Sequence, residues 1–323
     1  MKIASAIKYP LKNNYNNPTQ SFAGKRPCSA KGNTQLLGFD IDGTVGLGDS
    51  SDLKEFKSLI SADKNLKLTY VTGQSLESFL KNQNKDLSQN MNLPMPAYII
   101  TSNGTHIYKR TDDGFAIDQK WEKTLDRSTF NLETIKNNVE KIGDKNGGFT
   151  TIEQVQEGQV RNYKVMRSPR GENAYNIQFL VAEDSKDKII KEITKLKKRN
   201  QRFEIVTDYI EPDLLKDLPE DYKKNLAPLM DKKGGIHSLF ILPSNKAKAL
   251  TYLAHKLQIP KKNIIAGGNG ENDISLLKFM FIMVKNAHEG LKKASYKFGA
   301  TVFEANFDGL KGILEGLRKI AVK

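Results

Sequence analysis

The sequence has little of what fixes a small secreted fold. A single cysteine, Cys28, excludes an internal disulfide framework and any cysteine-based zinc cluster, and the reducing cytoplasm is the expected compartment. Long apolar runs are missing too. No stretch approaches the roughly 18 residues that span a bilayer, and Met1 to Pro10 lacks the apolar segment of a secretory signal, so no membrane partner is expected. No internal repeat is visible. Acid is absent from the first thirty-five residues, which hold Lys2, Lys8, Lys12, Lys25, Arg26 and Lys31. Six of the fourteen excess positive charges therefore sit in one stretch. With many Asn and few large apolar side chains, residues 1–34 are expected to form a disordered basic tail. The rest of the excess comes without aromatic interleaving or a known module, which argues against a nucleic-acid partner.

What is present is enough chain, 323 residues, for two moderate cores. Gln35 to Phe39, Leu66 to Val71 and Ala97 to Thr101 are short apolar runs that end in loop residues, and helical spacing separates them. Asp49, Ser50 and Ser51 are available to cap the helix that carries Leu53, Phe56 and Leu59. The same alternation returns late: a helix over 244–257, a strand over 263–266, a helix begun at Asp273, strands over 281–284 and 301–303, and a closing helix over 309–320. This predicts an α/β, Rossmann-like parallel sheet covered on both faces. Between Trp121 and Ile236 the pattern changes to a helix near 131–142, strands near 163–166 and 175–181, and a Lys-rich helix over 186–198. An inserted α+β domain is expected over 116–236, with the core over 35–115 and 237–323. Residues 211–235, rich in Lys, Asp and Pro, read as a surface excursion.

Four segments at strand ends or helix starts carry the chemistry: Asp40-Ile-Asp42-Gly-Thr44, Thr72-Gly-Gln-Ser75, Lys246, and Gly267 to Asp273. Ligand sites of open α/β sheets lie at such ends. Two carboxylates two residues apart need a cation or a proton to coexist, and Mg²⁺ suits oxygen ligands. Each residue also has a plainer use. Asp-Gly makes turns, Thr72 can cap the following helix, and Asn272 and Asp273 can cap the helix at Ile274, which does not exclude a contact to Lys246. Lys246 opposes the dipole of its helix, but so does Lys248. His106, His237, His255 and His288 lack metal-ligand spacing and read as structural or surface residues.

Five strings in order resemble the haloacid dehalogenase superfamily of phosphohydrolases, in its sucrose-phosphate phosphatase-like branch with a type IIB cap. They are Phe-Asp-Ile-Asp-Gly-Thr at 39–44, Tyr-Val-Thr-Gly-Gln-Ser at 70–75, Thr-Ser-Asn-Gly-Thr at 101–105, Leu-Pro-Ser-Asn-Lys-Ala at 242–247, and Gly-Asn-Gly-Glu-Asn-Asp at 268–273 followed by Val-Lys-Asn-Ala at 284–287. The resemblance implies Asp40 as nucleophile, forming an aspartyl-phosphate, and Asp42 as general acid and then base. It further implies Thr72, Gly73, Lys246 and Asn272 around the phosphoryl group. Mg²⁺ would be held by Asp40, the Asp42 carbonyl and Asn269, and the substrate would be a small phosphorylated sugar such as sucrose 6-phosphate. A monomer or weak homo-oligomer is expected. In the cap, Arg161, Lys164, Arg167 and Arg170 with Tyr163 and Tyr175 form a candidate sugar-phosphate grip, with Lys164 as the substrate ligand; a solvated basic face is the plainer use.

Three positions depart from the family pattern: Asn269 replaces an acid, Gln74 an Arg, and Ala247 a Gly. Asn269 removes an anionic donor and weakens metal binding. Two readings stay open: an Mg²⁺-dependent sugar phosphatase with a high metal demand, or a phosphosugar-binding pseudoenzyme. Glu271 and Asp273 are nearby acids that could replace the lost one.

Overall fold

The computed structural model describes residues 34–83, 92–125, 131–145, 166–167, 177–197, 203–216 and 220–320. Residues 1–33 of the expected tail, and Arg161, Tyr163, Lys164, Arg170 and Tyr175 of the expected cap grip, lie outside the described residues.

The first part alternates strand and helix: β1 (Gln35–Phe39), α1 (Ser50–Ala62), β2 (Leu66–Val71), α2 (Leu76–Gln83) and β3 (Tyr98–Thr101). Asp49 starts α1 by accepting from the backbone N–H groups of Ser51 and Asp52 at 2.8 and 2.9 Å, two donors that a helix N-terminus leaves free. A hairpin of β4 (His106–Thr111) and β5 (Gly114–Ile117) follows, then α3 (Gln119–Thr124). The inserted segment holds α4 (Leu132–Lys145), β6 (Met166–Arg167), β7 (Ile177–Val181), α5 (Glu183–Lys197), β8 (Glu204–Ile210), α6 (Pro212–Leu215), α7 (Glu220–Leu226) and β9 (Ile236–Leu242). The return path is α8 (Lys246–Lys256), β10 (Ile264–Gly268), a 3₁₀ run (Glu271–Lys278), β11 (Met280–Met283), α9 (Glu289–Phe298), β12 (Val302–Glu304) and α10 (Gly309–Ile320).

The larger sheet runs β12-β11-β10-β1-β2-β3-β4-β5. It is parallel from β12 to β3 and antiparallel beyond. Neighbouring residues of β1 face opposite layers. Leu36 packs in the core that includes Leu250 and Leu253 of α8, and Leu37 and Phe39 in the one that includes Phe56 of α1 and Ile313 of α10. The expected double-sided burial is thus met. From β1 the chain steps outward to β2 and β3, and later from β10 to β11 and β12 on the other side. That reversal of strand order opens a crevice at the carboxyl ends of β1 and β10.

The second sheet, β6-β7-β9-β8, is antiparallel. One face is covered by Ile135 and Val139 of α4 and Ile189 and Ile193 of α5, packed with Phe179, Leu239 and Ile241. This matches an α/β core with an inserted α+β cap, with corrections. The boundary expected at 236/237 falls at the start of β9, which pairs with β7 and β8, so the chain rejoins the core only after Leu242. At the other end, β5 carries the core sheet to Ile117, past the expected 115. Residues 211–235 are more than a surface excursion, because Leu215, Leu226 and Leu229 bury with Leu180 and Ile236. The helix expected to begin at Asp273 is a 3₁₀ run that starts at Glu271. Among the described residues no helix is long and apolar enough to cross a membrane.

Candidate active site

The loop after β1 turns at Gly43, which has φ of 69° and lies against the side chain of Asn269. The turn leaves Asp40 buried at the strand end and Asp42 exposed beside it. It is held from two sides: Thr44 Oγ1 donates to Asn269 Oδ1 at 3.0 Å, and Asn286 Nδ2 donates to the Gly43 carbonyl at 2.8 Å. Asp42 Oδ1 accepts from Gln74 Nε2 at 2.6 Å, so the amide that stands in the place of an Arg still supplies a donor.

Lys246 is the first residue of α8, fully buried. Its helix start is fixed by Asn245, whose side chain accepts from the Lys248 N–H at 2.9 Å, and by the turn Ser102–Gly104. Gly104 has φ of 99°, and a Cβ there would come within 2.3 Å of the Asn245 backbone, an approach only glycine allows. The Lys246 ammonium donates to Asp40 Oδ1 and to Asp273 Oδ1, each at 2.7 Å. The other oxygen of Asp273 accepts from the N–H groups of Asn269 and Gly270, both at 3.1 Å. Asp273, weighed from sequence as a cap or an alternative metal ligand, therefore orients Lys246 and shapes the Asn269 loop at once. Asn272 does not make the Lys246 contact; its Nδ2 faces Asp208 Oδ2 at 3.4 Å.

Thr72 is fully buried at the end of β2, and its Oγ1 accepts from Gln74 N–H at 3.0 Å. The α2 cap is Ser75, which accepts from Ser78 N–H at 3.1 Å, so Thr72 is free of that duty. Gly73 is exposed and flanked by Asn103 and Asn272. The structure thus brings together Asp40, Asp42, Thr72, Gly73, Lys246, Asn269 and Asn272, while Lys164 lies outside the described residues. His106 pairs with Glu122 at 2.9 Å, His237 with Glu183, and His288 with Glu211 at 3.0 Å. Neither these three histidines nor His255 is bonded to Asp40.

The electrostatics follow from burial first and a shortage of positive charge second. Burial opposes the Lys246 charge, but Asp273 and Asp40 outweigh it and hold the ammonium above its ordinary range. Burial, then Asp273 and Asp42, push the Asp40 carboxyl well up despite Lys246. Asp42 keeps an exposed edge, yet the protein around its carboxyl displaces enough water to raise it as well, against the hydrogen bond from Gln74 and the charge of Lys246. Asp208, reaching in from β8, is pushed to about 7, chiefly by burial, with Asp273 and Glu271 adding and Lys246 opposing.

Among the described residues no three His, Cys, Asp or Glu side chains are grouped to hold a metal. The donors that the resemblance implies, the Asp40 carboxylate, the Asp42 carbonyl and the Asn269 amide oxygen, are all oxygens, and the last is oriented by Thr44. Such a set, short of countercharge, fits a hard divalent cation.

Comparison with known proteins agrees with this fold. A solved sucrose-phosphatase from Synechocystis sp. PCC6803, in complex with sucrose and phosphate, superposes with a TM-score of 0.63 at 20% identity, over 88% of this chain and 97% of that one. A haloacid dehalogenase-like hydrolase protein from Bacillus subtilis does so at 0.54 and 19% identity, over 89% and 92%. A curated relative, glucosylglycerol-phosphate synthase of Pseudomonas anguilliseptica, is 26% identical over 87% of this chain, which spans 30% of that protein's length. The family model for haloacid dehalogenase-like hydrolases matches residues 37–310, and the chain belongs to that family.

Proposed function

We propose that the protein is an Mg²⁺-dependent phosphomonoester hydrolase acting on a sugar phosphate. The observation that carries this is the buried Lys246 ammonium bridging Asp40 and Asp273 at the switch point of the sheet. Lys246 holds Asp40 by Oδ1 and leaves Oδ2 to attack phosphorus. As the Asp40–phosphorus bond forms, the bond to the leaving oxygen breaks, and Asp42 gives that oxygen its proton. Asp42, now a carboxylate, takes a proton from water as the water oxygen attacks phosphorus. The acyl-phosphate bond then breaks and phosphate leaves. Thr72, the Gly73 backbone and Lys246 position the phosphoryl oxygens. Mg²⁺, held by Asp40, the Asp42 carbonyl and Asn269, would neutralise phosphoryl charge. The β6-β7-β9-β8 sheet serves as the cap over this site, and the sugar half of the ester faces it.

The substrate class is supported by likeness alone: the solved relative holds sucrose and phosphate, and the curated one is named for glucosylglycerol phosphate. Asn269 favours a second reading, a phosphosugar-binding protein without turnover. Phosphate release from sucrose 6-phosphate and glucosylglycerol phosphate, titrated with Mg²⁺, separates the two. Metal-dependent release that Asp40→Asn reduces below about 1% with an unchanged circular dichroism spectrum, an amide being a poor nucleophile, supports the hydrolase. Binding without release at saturating Mg²⁺ supports the second reading.

A further inference from the structure

One face of the cap sheet looks onto the site and has no part in the chemistry above. Strand register sets Asp208 of β8 beside Ser238 of β9, with Gln178 and Phe240 one step along the same face. Gln178 Nε2 donates to Ser238 Oγ at 3.2 Å. Asp208 is the member that crosses to the core. Its Oδ1 accepts from Tyr209 N–H at 3.0 Å, and its Oδ2 stands 3.4 Å from Asn272 Nδ2, a long contact.

The groups around Asp208 offer its charge little compensation. Asp273 and Glu271 share its sign, and the opposing charge, Lys246, is already bonded to Asp40 and Asp273. Beside it, Asn272 Oδ1 is buried without a hydrogen-bond donor. Across Gly73, Asn103 is 2% exposed and its Oδ1 also lacks a donor. Two acceptor oxygens therefore border the catalytic loop without a donor, and Asp208 Oδ2 beside them has only the long contact from Asn272; buried acceptors in that state call for a ligand that brings donors.

We propose that Asp208 is a specificity-determining residue, which accepts hydrogen bonds from hydroxyl groups on the alcohol half of the ester and rejects esters carrying a second anion there. The inference rests on the hydrolase reading and narrows it to neutral, hydroxyl-rich leaving groups. A hydroxyl donates to a carboxylate with the strength of a charge-assisted bond, whereas a carboxylate or second phosphate at that place meets a like charge beside Asp273 and Glu271.

Glycerol 3-phosphate and 3-phosphoglycerate test this, since they differ in a terminal hydroxymethyl against a carboxylate. At about pH 8, where a carboxyl of this kind is ionised, the wild type should favour glycerol 3-phosphate in kcat/KM. Asp208→Asn should shrink that preference by about tenfold or more, the scale of one charged hydrogen bond. A wild type that favours 3-phosphoglycerate overturns the inference, as does a variant in which both esters change by the same factor, the signature of a merely structural contact with Asn272. If the wild type hydrolyses neither ester nor any sugar phosphate, the hydrolase reading fails by itself. The role of Asp208 is then decided by the affinities of Asp40→Asn protein for the same two esters, with and without Asp208→Asn. The same shift in preference supports the role; equal affinities, or no binding, overturn it.

Discussion

Lys246 carries a full charge where no water reaches it, and a buried ammonium persists only because two carboxylates meet it. Removing one partner of such a group typically costs about 3–5 kcal/mol. Asp273→Asn should therefore lower unfolding free energy by roughly that amount in urea titrations, because it also weakens two backbone bonds to the Asn269 loop. A loss under about 1 kcal/mol, the value of an exposed pair, would contradict the structural importance given to Asp273. Asp208 responds to pH in the opposite sense to a paired acid. Its folded value, about 7, lies above the ordinary carboxyl range, so the native state holds the proton more tightly than the unfolded chain. Stability is lost as pH climbs from about 4 through about 7. Asp208→Asn should accordingly match wild type near pH 4 and exceed it by on the order of 1–3 kcal/mol at pH 8; an equal difference at both pH values would show that the carboxyl titrates normally. At this scale the sequence was legible where chemistry is local. Asp40, Asp42 and Thr72 stand out beside their own glycines, and a contact from the Asn272–Asp273 pair to Lys246 is open from sequence and is made by Asp273; the Asp208 partnership joins residues 64 positions apart, and no local spacing signals it.

Elements that sit between the sheet and solvent on two sides read most clearly, and those with mixed faces did not. The helix α9 went unread because its sequence places Tyr296 and Phe298 in solvent, 72% and 68% exposed, which blurs the apolar stripe that marks a helix. The β4–β5 hairpin was signalled only by Asp113-Gly114 at its tip. The loop from β10 into the 3₁₀ run illustrates how an element sets a residue's chemistry. Asp273 draws the Asn269 and Gly270 N–H groups inward, and this leaves the Asn269 side chain over Gly43, bonded by Thr44. Thr44 can donate equally to a carboxylate, so Asn269→Asp should fit without rearrangement and add an anionic oxygen. The Mg²⁺ concentration for half-maximal rate should fall by roughly an order of magnitude. In chelator the variant should melt lower than wild type, since a further acid joins a site already short of positive charge. An unchanged metal dependence would remove Asn269 from the ligand set.

Across the whole molecule the order of strands was legible and the path of the insertion was not. Alternating strand and helix predicts a parallel sheet from sequence alone, but β8 and β9 pair across a span of more than twenty residues, so a boundary drawn at 236/237 leaves nearly all of β9 on the core side. The two sheets also differ in how they are held. Central strands β1, β10 and β11 are buried on both faces by separate apolar cores. The second sheet has one large core on a single face, and among the described residues its polar ties to the core half come from β8 and the residue after it: Glu204 to Lys248 at 2.6 Å, Asp208 to Asn272 at 3.4 Å, and Glu211 to His288 at 3.0 Å. Partly exposed pairs of this kind contribute about 0–1 kcal/mol each. The cap should therefore open well below the free energy of global unfolding, as the proposed hydrolysis, with its substrate entry and product release, requires. Native-state hydrogen exchange read by mass spectrometry should find amides of β7 and β8 exchanging at least about tenfold faster than those of β1 and β10. Inorganic phosphate with Mg²⁺, seated between the halves, should slow β8 more than β7, because Asp208 stands at the site and β7 lies behind β9. Equal protection in both sheets would mean that the halves unfold as one unit, and entry to the site would then need a motion smaller than cap opening.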